Sequence, residues 1–343
     1  MRALVTGANG HLGYNLVQAL LAAGHRTRAS VRTLDDPSKT ARLRALGNVE
    51  LVEAKLERPA QLRAAMNGIE CLFHAAATYV YVSAGREQEI LDDSIRGADA
   101  AVNAAADAGV RKIVFTSSLV TLPLTRRDAP PADETQWTDD LAVPYIRAKT
   151  EGERVAWRVA RARGIDLVAI LPGALTGPGF VRNTPSLDII EMMMRGGLRA
   201  GVPDFNYPIV DVRDVTRAHL LAAELDCEGR FAVCNDTLPS FRTMLETMHA
   251  IDPSIPLPWM SIPDFAVGAL PLFDRLNERT LRTPRTLTRE MLGTFRGKVW
   301  NASNRRAREV LGWRPEISLE QTLRDTIDAM RARDRSKAVA QPA

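Results

Sequence analysis

The stretch VPYIRAKTEGER, residues 143–154, places Tyr145 four residues before Lys149. A phenol can give or accept a proton, and a neighbouring ammonium lowers the pKa of a tyrosine from its usual value of about 10. Such a pair could act as an acid-base group near neutral pH. The same spacing also arises by chance on exposed helices, so the pair is informative only if both side chains face inward.

The helical period separates these two possibilities. At about 100° per residue, one strongly charged side is predicted to face solvent, and it carries Arg147, Glu151, Arg154, Arg158 and Arg161. The opposite side carries Tyr145, Lys149, Gly152, Ala156 and Val159. Because the small residues on that side allow close packing, Lys149 is predicted to point inward.

An inward lysine needs an explanation, since burying an unpaired ammonium is costly. It is either half of a structural ion pair or a functional lysine beside a functional tyrosine. The segment FTSS, residues 115–118, favours the second explanation because it ends a predicted strand. Ser118 could hydrogen-bond a reacting oxygen there, with Ser117 as the second choice. Serines at strand ends also serve as simple caps.

A glycine-rich turn, TGANGHLG at residues 6–13, lies where the first predicted strand meets the first helix. Gly7 permits a tight turn, Gly10 lets the backbone approach a phosphate, and Gly13 lets the helix pack close to the sheet. The helix N-terminus then presents free N–H groups to an anion. The turn therefore predicts a bound dinucleotide, and the contacts expected within it also include Asn9, His11 and Leu12. His11 is interpreted as a bystander to catalysis.

The end of the second strand bears on which dinucleotide binds. An NAD site usually has an acidic residue there for the ribose 2′-hydroxyl, whereas an arginine suits a 2′-phosphate. This strand ends in Arg32, and Lys39 follows, with Asp35 and Asp36 between them, which could neutralise part of the positive charge. We therefore favour NADP over NAD. The alternative is that both cations are ordinary surface residues.

Short apolar runs alternate with helical patterns through the first half of the chain, which is typical of a parallel sheet covered by helices. The predicted strands are residues 2–6, 26–32, 49–54, 70–76, 112–118 and 166–173. Leucines at helical spacing follow the first strand, and Gly24 is placed as a C-cap glycine would be. The sequence predicts an α/β protein with a doubly wound parallel Rossmann sheet.

The alternation fails after about residue 173, where proline-rich loops and short helices follow. Residues 1–173 are therefore interpreted as the NADP-binding Rossmann domain, to which residues 207–235 return with the strands YPIVDVRDV and RFAVCN. Residues 174–333 are predicted to form mainly a smaller mixed substrate-binding domain over the strand ends. Residues 334–343 are predicted to be a disordered tail.

The composition is that of a soluble globular protein, with 45% hydrophobic and 25% charged residues in 343. The 45 Lys+Arg and 41 Asp+Glu leave a net charge of only +4, so neither a nucleic-acid nor a membrane partner is expected. Cys71, Cys227 and Cys234 are too scattered for a disulfide framework or a metal site. No signal peptide or apolar span is evident. We expect a cytoplasmic protein with no metal, which could form a homodimer.

Taken in order, the glycine turn, serine, tyrosine and lysine resemble the extended short-chain dehydrogenase/reductase superfamily. TGANGHLG is similar to its TGxxGxxG turn, FHAAA (73–77) to the segment after its fourth strand, and PYIRAK (144–149) to its active-site helix. VRTLDDPSK, LPGALTGPGFVRNTPS and VDVRDVTRAHLLA resemble the dihydroflavonol reductase and cinnamoyl-CoA reductase branch. NRRAREVLGWRP (304–315) resembles the C-terminal part of bacterial members of the epimerase/dehydratase type.

The resemblance implies an NADP(H)-dependent reductase of aldehydes or ketones, in which Ser118, Tyr145 and Lys149 form the catalytic triad. It also implies that Arg32 and Lys39 hold the 2′-phosphate. The other residues that it assigns to the cofactor are Leu56, Ala75, Ala76, Ala77, Thr116, Pro172, Gly173, Leu175 and Ser186. One departure is clear: the family usually has an acidic residue before the leucine near the adenine, whereas this chain has Lys55, which cannot accept a hydrogen bond from the adenine amine.

Two other functions remain open. One is a nucleotide-sugar epimerase or related sugar-modifying enzyme with tightly bound NAD, whose pyrophosphate ligands would be arginines of residues 275–290. The other is a non-catalytic dinucleotide-sensing protein, which has no need of an inward Tyr-Lys pair. A hydrophobic carbonyl substrate is weakly indicated by residues that could form an apolar pocket: Tyr79, Tyr81, Leu122, Phe180, Met192 to Met194, Phe205 and Tyr207.

Overall fold

A computed structural model describes residues 1–76, 85–262, 294 and 297–340, with the backbone alone for 337–340. At its centre is a seven-stranded sheet. Its strands, numbered along the whole chain, are β1 (Arg2–Thr6), β2 (Arg26–Val31), β3 (Val49–Glu53), β4 (Cys71–His74), β5 (Lys112–Thr116), β7 (Asp166–Pro172) and β11 (Gly229–Val233).

The strand order is β11-β7-β5-β4-β1-β2-β3, and every neighbouring pair is parallel. The chain leaves β1 towards β2 and β3 and later crosses back to place β4 on the other side of β1. This reversal is the switch point at which open parallel sheets bind ligands, beyond the carboxyl ends of the strands. The predicted doubly wound Rossmann sheet is confirmed, and each of the six strands predicted in the first half lies in it.

Helices cover both faces of the sheet. In the part of the chain that the structure describes they are α1 (His11–Ala22), α2 (Pro37–Arg44), α3 (Pro59–Ala65), α4 (Glu87–Asp107), α5 (Pro144–Arg163), α6 (Pro185–Met194), α7 (Val212–Glu224), α8 (Phe241–Ile251), α9 (Arg305–Leu311) and α10 (Leu319–Ala340). Gly24, at φ +77°, follows the C-cap of α1, where a positive φ suits glycine.

Alternate residues of each strand enter different cores, because successive side chains point to opposite faces of a sheet. Leu4 of β1 packs with α3, α4 and α5 on one face. Its neighbours Ala3 and Val5 pack with α1, α7 and α9 on the other face. The helix α5 approaches α4 closely: a Cβ on Gly152 would lie 3.3 Å from the carbonyl oxygen of Ser94. These contacts fix α5 against the sheet.

A smaller region contains α6, α8 and α10, which share a third core, and several short strands. These strands are β6 (Thr125–Arg126), β8 (Ala174–Thr176), β9 (Val202–Pro203), β10 (Ile209–Asp211), β12 (Ser261–Ile262) and β13 (Lys298–Val299). They pair in twos, as β8 with β10, β9 with β12 and β6 with β13. None of the described helices is long and apolar enough to cross a membrane.

Two features differ from the sequence predictions. Residues 229–233 do return to the main sheet, beside β7, but residues 209–211 pair with β8 outside it, and the chain then turns directly into α7. Helix α10 extends to Ala340, so residues 334–340 are helical where a disordered tail was expected. The tail has arginine, aspartate, lysine and alanine residues, which are compatible with a helix that continues beyond the packed part.

Candidate active site

Helix α5 presents two different faces, as its sequence pattern predicts. Tyr145 and Gly152 are buried on the inner side, where Lys149 also faces a cleft. Arg147 and Arg158 are exposed on the outer side. The sequence therefore assigned the orientation of the helix correctly, and the tyrosine and lysine point into the protein together.

Burial lowers the pKa of the Lys149 ammonium from its ordinary value to about 8. The carboxylate of Glu153, one helical turn further along α5, opposes this effect because a negative charge favours the protonated lysine. His74, at the end of β4, is affected in turn: burial, and then the charge of Lys149, lower its pKa to about 4. Lys149 thus remains a cation at neutral pH but loses its proton at a lower pH than an ordinary lysine.

The two serines after β5 have different roles. Ser117 also lines the cleft, but its hydroxyl donates a hydrogen bond of 2.5 Å to Oε2 of Glu153. Ser118 accepts a 3.4 Å hydrogen bond from the N–H of Val120 and begins the short 3-10 helix Leu119–Thr121. Since the Ser117 hydroxyl is already committed to a carboxylate, Ser118 is the better placed of the two to hydrogen-bond a substrate oxygen.

These residues line one cleft of about 200 Å³ at the switch point. The predicted site residues that the structure brings together there are Gly7, Gly10, His11, Leu12, Gly13, Ala75, Thr116, Ser118, Tyr145, Lys149, Pro172, Gly173 and Leu175. They come from the carboxyl ends of β1, β4, β5 and β7, from the first turn of α1, from α5 and from β8. The parallel sheet explains the meeting, because all these strand ends lie on the same edge.

Five further predicted site residues, all among the described ones, do not line this cleft. Asn9 and Arg32 are exposed, and Leu56 packs beside the core of α3 and α4. The backbone of Ala76 packs against Gly7 of the glycine turn. Ser186 is buried in the first turn of α6.

Lys39, another predicted cofactor contact, also lies outside the cleft and pairs with Asp36 at 3.1 Å. Ala77 lies outside the described residues, and so do Tyr79, Tyr81 and residues 275–290.

The glycine turn fits a bound phosphate. Gly7 has φ +66°, and a Cβ there would lie 2.8 Å from Cα of Ala76, while a Cβ on Gly13 would lie 2.1 Å from the carbonyl oxygen of Gly7. Neither position accepts a side chain. A Cβ on Gly10 would meet only the oxygen of Gly7, at 3.2 Å, so the space before the turn stays open. Gly10 is also the N-cap of α1, and it leaves the first N–H groups uncapped by a side chain.

His11 ties the turn to a neighbouring loop. Its Nε2 is 3.0 Å from the carbonyl oxygen of Pro178, and the side-chain amide of Asn15 donates to that same oxygen at 3.2 Å. Burial lowers the pKa of His11 to about 4, so the ring is neutral at physiological pH. A neutral ring held by a loop carbonyl agrees with a structural role for His11.

The region at the ends of β2 and β3 is more exposed. Lys39 pairs with Asp36 at 3.1 Å, and Lys55 pairs with Glu53 at 3.7 Å. Oε2 of Glu53 also accepts a 3.3 Å hydrogen bond from the N–H of Leu34, which fixes the loop that follows Arg32. The sequence predicted that Asp35 and Asp36 could partly neutralise the cations here, and the structure shows that Asp36 pairs with Lys39 and that Glu53 also pairs with Lys55.

Several cleft residues were not predicted from the sequence. They are Leu119, Val120, Thr184, Pro208 and Trp300. Of the apolar residues that the sequence suggested for a pocket, Tyr207 lines this cleft, whereas Leu122, Phe180 and Met193 are buried in the cores. Trp300 comes from a distant part of the chain and carries no local pattern that could have identified it.

The fold and the cleft define a class of protein. It is an enzyme scaffold that has a glycine turn suited to a dinucleotide at the switch point, with a serine, a tyrosine and a lysine on the adjoining elements. The sequence matches the NAD dependent epimerase/dehydratase family over residues 3–234, and the chain belongs to this family. The family is NAD(P)-dependent and is part of the extended short-chain dehydrogenases/reductases, and the chain falls in their dihydroflavonol reductase and cinnamoyl-CoA reductase-like branch.

Similar curated proteins include cinnamoyl-CoA reductase 1 from Petunia hybrida, which is 32% identical over 268 residues, covering 74% of this chain and 78% of that protein. Tetraketide alpha-pyrone reductase 2 from Arabidopsis thaliana is 29% identical over 267 residues, covering 74% and 83%. Sterol demethylase protein B from Methylococcus capsulatus is 34% identical over 294 residues, covering 83% and 85%.

Solved structures show the same architecture. The crystal structure of gox2253 has a TM-score of 0.82 at 26% identity and covers 97% of this chain and 98% of its own. A UDP-glucose 4-epimerase from Thermotoga maritima has a TM-score of 0.76 at 22% identity and covers 97% and 99%. The second similarity concerns the fold alone. Together with the reductase relatives, these comparisons identify an NAD(P)-dependent oxidoreductase scaffold.

Proposed function

We propose that the protein is an NADP(H)-dependent reductase that transfers a hydride between the cofactor and the carbonyl or alcohol group of a small hydrophobic aldehyde or ketone. The observation that carries this proposal is the convergence of Ser118, Tyr145 and Lys149 on the cleft that also contains the glycine turn. A proton donor, an orienting hydroxyl and a cation therefore lie beside the place where a dinucleotide fits. These are the groups that carbonyl reduction needs.

A bound nicotinamide would supply the hydride for this reaction. Tyr145 then donates a proton to the carbonyl oxygen, and the hydroxyl of Ser118 orients that oxygen by a hydrogen bond. Lys149 favours the ionised form of the phenol through its charge, and so eases the departure of the proton. We also assign Lys149 the role of holding the cofactor ribose. The pKa of Lys149, about 8, keeps it charged at neutral pH.

The preference for NADP is supported by Arg32. It follows β2 directly and is exposed, where a guanidinium can bind a 2′-phosphate by paired hydrogen bonds. Lys39 gives weaker support, since Asp36 pairs with it at 3.1 Å. We therefore assign most of the discrimination between NADP and NAD to Arg32.

The preference for a hydrophobic substrate is supported by the apolar residues that line the cleft. Leu119, Val120 and Trp300 line it, and Tyr207 and Leu175 add further apolar surface. Burial of an apolar ring or chain against such residues favours binding. The relatives named as reductases of cinnamoyl-CoA and of tetraketide alpha-pyrones agree with a carbonyl-reducing reaction.

A nucleotide-sugar epimerase is the second candidate. It is favoured by the family match and by the structural similarity to the UDP-glucose 4-epimerase. The arginines expected to bind a sugar-nucleotide pyrophosphate, in residues 275–290, lie outside the described residues. The apolar lining of the cleft fits a sugar less well, because sugar hydroxyls need hydrogen-bond partners when they are buried.

A substrate survey tests the proposal. The isolated protein is mixed with NADPH or NADH and with a panel of aromatic and aliphatic aldehydes, ketones and nucleotide sugars, and cofactor oxidation is followed at 340 nm. We expect oxidation of NADPH with hydrophobic carbonyl compounds and much slower oxidation of NADH. Activity with NADH alone, or conversion of nucleotide sugars alone, would contradict the proposal.

A further inference from the structure

A buried ion pair lies directly behind the candidate active site. The carboxylate of Glu153 on α5 is fully buried, and Nε of Arg230 on β11 donates to its Oε1 at 2.7 Å. The indole N–H of Trp157 also donates to Oε1, at 3.2 Å. Sequence reasoning did not single out either member of this pair, because Glu153 and Arg230 are 77 residues apart in the chain.

The pair holds the Ser117–Ser118 peptide from two sides. On one side, Glu153 accepts the hydroxyl hydrogen bond of Ser117 at 2.5 Å. On the other side, Nη2 of Arg230 donates to Oγ1 of Thr121 at 2.7 Å, and that hydroxyl donates to the carbonyl oxygen of Ser118 at 2.9 Å. The backbone on both sides of Ser118 is thus connected to one guanidinium.

The same guanidinium also fixes the loop that precedes α5. Its Nη1 donates to the carbonyl oxygens of Glu134, at 2.9 Å, and Gln136, at 2.7 Å. The ring of Trp137 lies 3.7 Å from its Cζ atom, a stacking contact that suits arginine and not lysine. Arg230 therefore joins β11, α5, the turn after β5 and the loop before α5, and the last three of these carry or adjoin the residues of the candidate site.

Glu153 has a second relation to the site, through charge. It lies four residues after Lys149, on the same side of α5, and its negative charge favours the protonated state of that lysine. The titratable and charged groups that face Lys149 are Tyr145 and Glu153 on its own helix and His74 at the end of β4, with Arg230 of β11 acting through Glu153. Burial keeps His74 neutral, so the carboxylate of Glu153 is the negative charge among these groups.

We propose that Glu153, held in place by Arg230, is a positioning residue that keeps Lys149 charged and fixes the peptide that carries Ser118. This inference rests on the proposed function, since it assigns the pair a role in the same proton transfer. Fold stability alone does not explain the pair well, because a buried ion pair contributes little net stability compared with apolar residues of similar volume. A misplacement of about 1 Å at a catalytic group can lower turnover by about 10²-fold.

The first test measures Lys149 without any substrate. The rate at which 1-fluoro-2,4-dinitrobenzene modifies Lys149 is measured against pH in the free protein by peptide mass spectrometry, for the wild type and for Glu153→Gln. The amide keeps the shape and removes the charge, so the midpoint of the Lys149 titration should move to lower pH. Glu151→Gln is the matched control, because Glu151 lies on the outer side of the same helix and pairs with Arg154 at 3.0 Å. It should leave the midpoint unchanged.

The second test measures turnover. Glu153→Gln and Arg230→Lys are each expected to lower kcat by about 10²-fold, while fluorescence titration shows that NADPH still binds. In a plot of kcat against pH, the fall on the alkaline side should begin at a lower pH for Glu153→Gln than for the wild type. Glu151→Gln should have wild-type kcat. A double variant, Glu153→Leu with Arg230→Leu, replaces the ion pair by apolar side chains and should remain folded and have a low kcat.

These measurements distinguish failure of the role of Glu153 from failure of the proposed function. If folded Glu153→Gln has a wild-type Lys149 titration, the proposal is overturned, and wild-type kcat in that variant or in the double leucine variant also overturns it. Should Glu153→Gln fail to fold, the double leucine variant replaces it in both measurements. If the wild type reduces no carbonyl compound with either cofactor, the proposed function fails, and the Lys149 titration alone then decides the role of Glu153.

Discussion

The two ends of the candidate cofactor site are built in different ways. At the catalytic end, Ser118, Tyr145 and Lys149 are buried or half-buried and are supported by other elements of the fold. At the phosphate end, Arg32 is exposed and Lys39 pairs with Asp36, three residues before it in the same turn of chain. Long-range contacts therefore fix the first end, whereas local sequence determines the second.

The two ends should differ in how strongly a substitution affects the enzyme. Charges at the catalytic end lie in a poorly solvated environment, where each neighbour changes a pKa strongly, as burial does for Lys149. Charges at the phosphate end remain hydrated and screened, so each contributes modestly. Changes at the catalytic end should therefore alter turnover greatly, and changes at the phosphate end should alter only the choice of cofactor.

The largest effect is expected from Tyr145→Phe. The phenylalanine keeps the ring and removes the proton donor, so kcat should fall by about 10²- to 10⁴-fold, as for other general acids. NADPH binding, measured by fluorescence titration, should change little, because the glycine turn is untouched. Turnover within tenfold of the wild type would remove Tyr145 from the mechanism.

The next largest effect is expected from Ser118→Ala. Loss of one hydrogen bond to a developing oxyanion should lower kcat by about 10²-fold. Ser117→Ala is the matched control: that hydroxyl donates to Glu153 rather than to the cleft, so a smaller loss is expected. Steady-state kinetics of both variants decide between the serines. A larger loss in Ser117→Ala would reverse their assignment.

Turnover should depend steeply on pH, because it requires the charge of Lys149 at the catalytic end. Lys149 has a pKa of about 8 and is charged below that value and neutral above it. Reduction needs the charge of Lys149 and the proton of Tyr145, so kcat should fall as the pH rises from 7 to 9, approaching about tenfold per pH unit above the midpoint. A kcat that stays level or rises over this range would show that Lys149 does not support the reaction in its charged form.

The smallest effects are expected at the phosphate end. Arg32→Ala should weaken NADPH binding by about tenfold, which is the usual loss for a charge-assisted hydrogen bond, and leave NADH binding unchanged. Lys39→Ala should weaken NADPH binding less, because Asp36 already pairs with that lysine. Dissociation constants for both cofactors check this. Equal losses for NADPH and NADH in Arg32→Ala would contradict recognition of a 2′-phosphate.

Much of the fold was predictable because it depends on local patterns. The apolar runs predicted the strands β1 to β5 and β7, and the glycine turn predicted the loop between β1 and α1, which lies at the switch point. The helical period of α5 correctly separated Tyr145 and Lys149 from the outer arginines. The prediction that residues 207–215 return to the main sheet was wrong, since a short apolar run does not reveal which strand it pairs with.

The rest of the site depends on contacts between distant residues. The sequence pattern of α5 did not identify Glu153, because its burial depends on the ion pair with Arg230 of β11. Trp300 lies far along the chain from the other cleft residues. The neutralising role of Asp36 towards Lys39 was considered from the sequence, but the 3.1 Å pairing itself could come only from the structure.

The central claim is net reduction of a carbonyl compound at Tyr145, and product stoichiometry tests it most directly. The wild type and Tyr145→Phe are incubated with NADPH and an aromatic aldehyde or ketone, and oxidised cofactor and alcohol are both quantified by chromatography. The account predicts one alcohol formed for each NADPH oxidised by the wild type, with almost none formed by Tyr145→Phe. Conversion of a nucleotide sugar to its isomer with no net oxidation of cofactor, and no alcohol from any carbonyl compound, would contradict it.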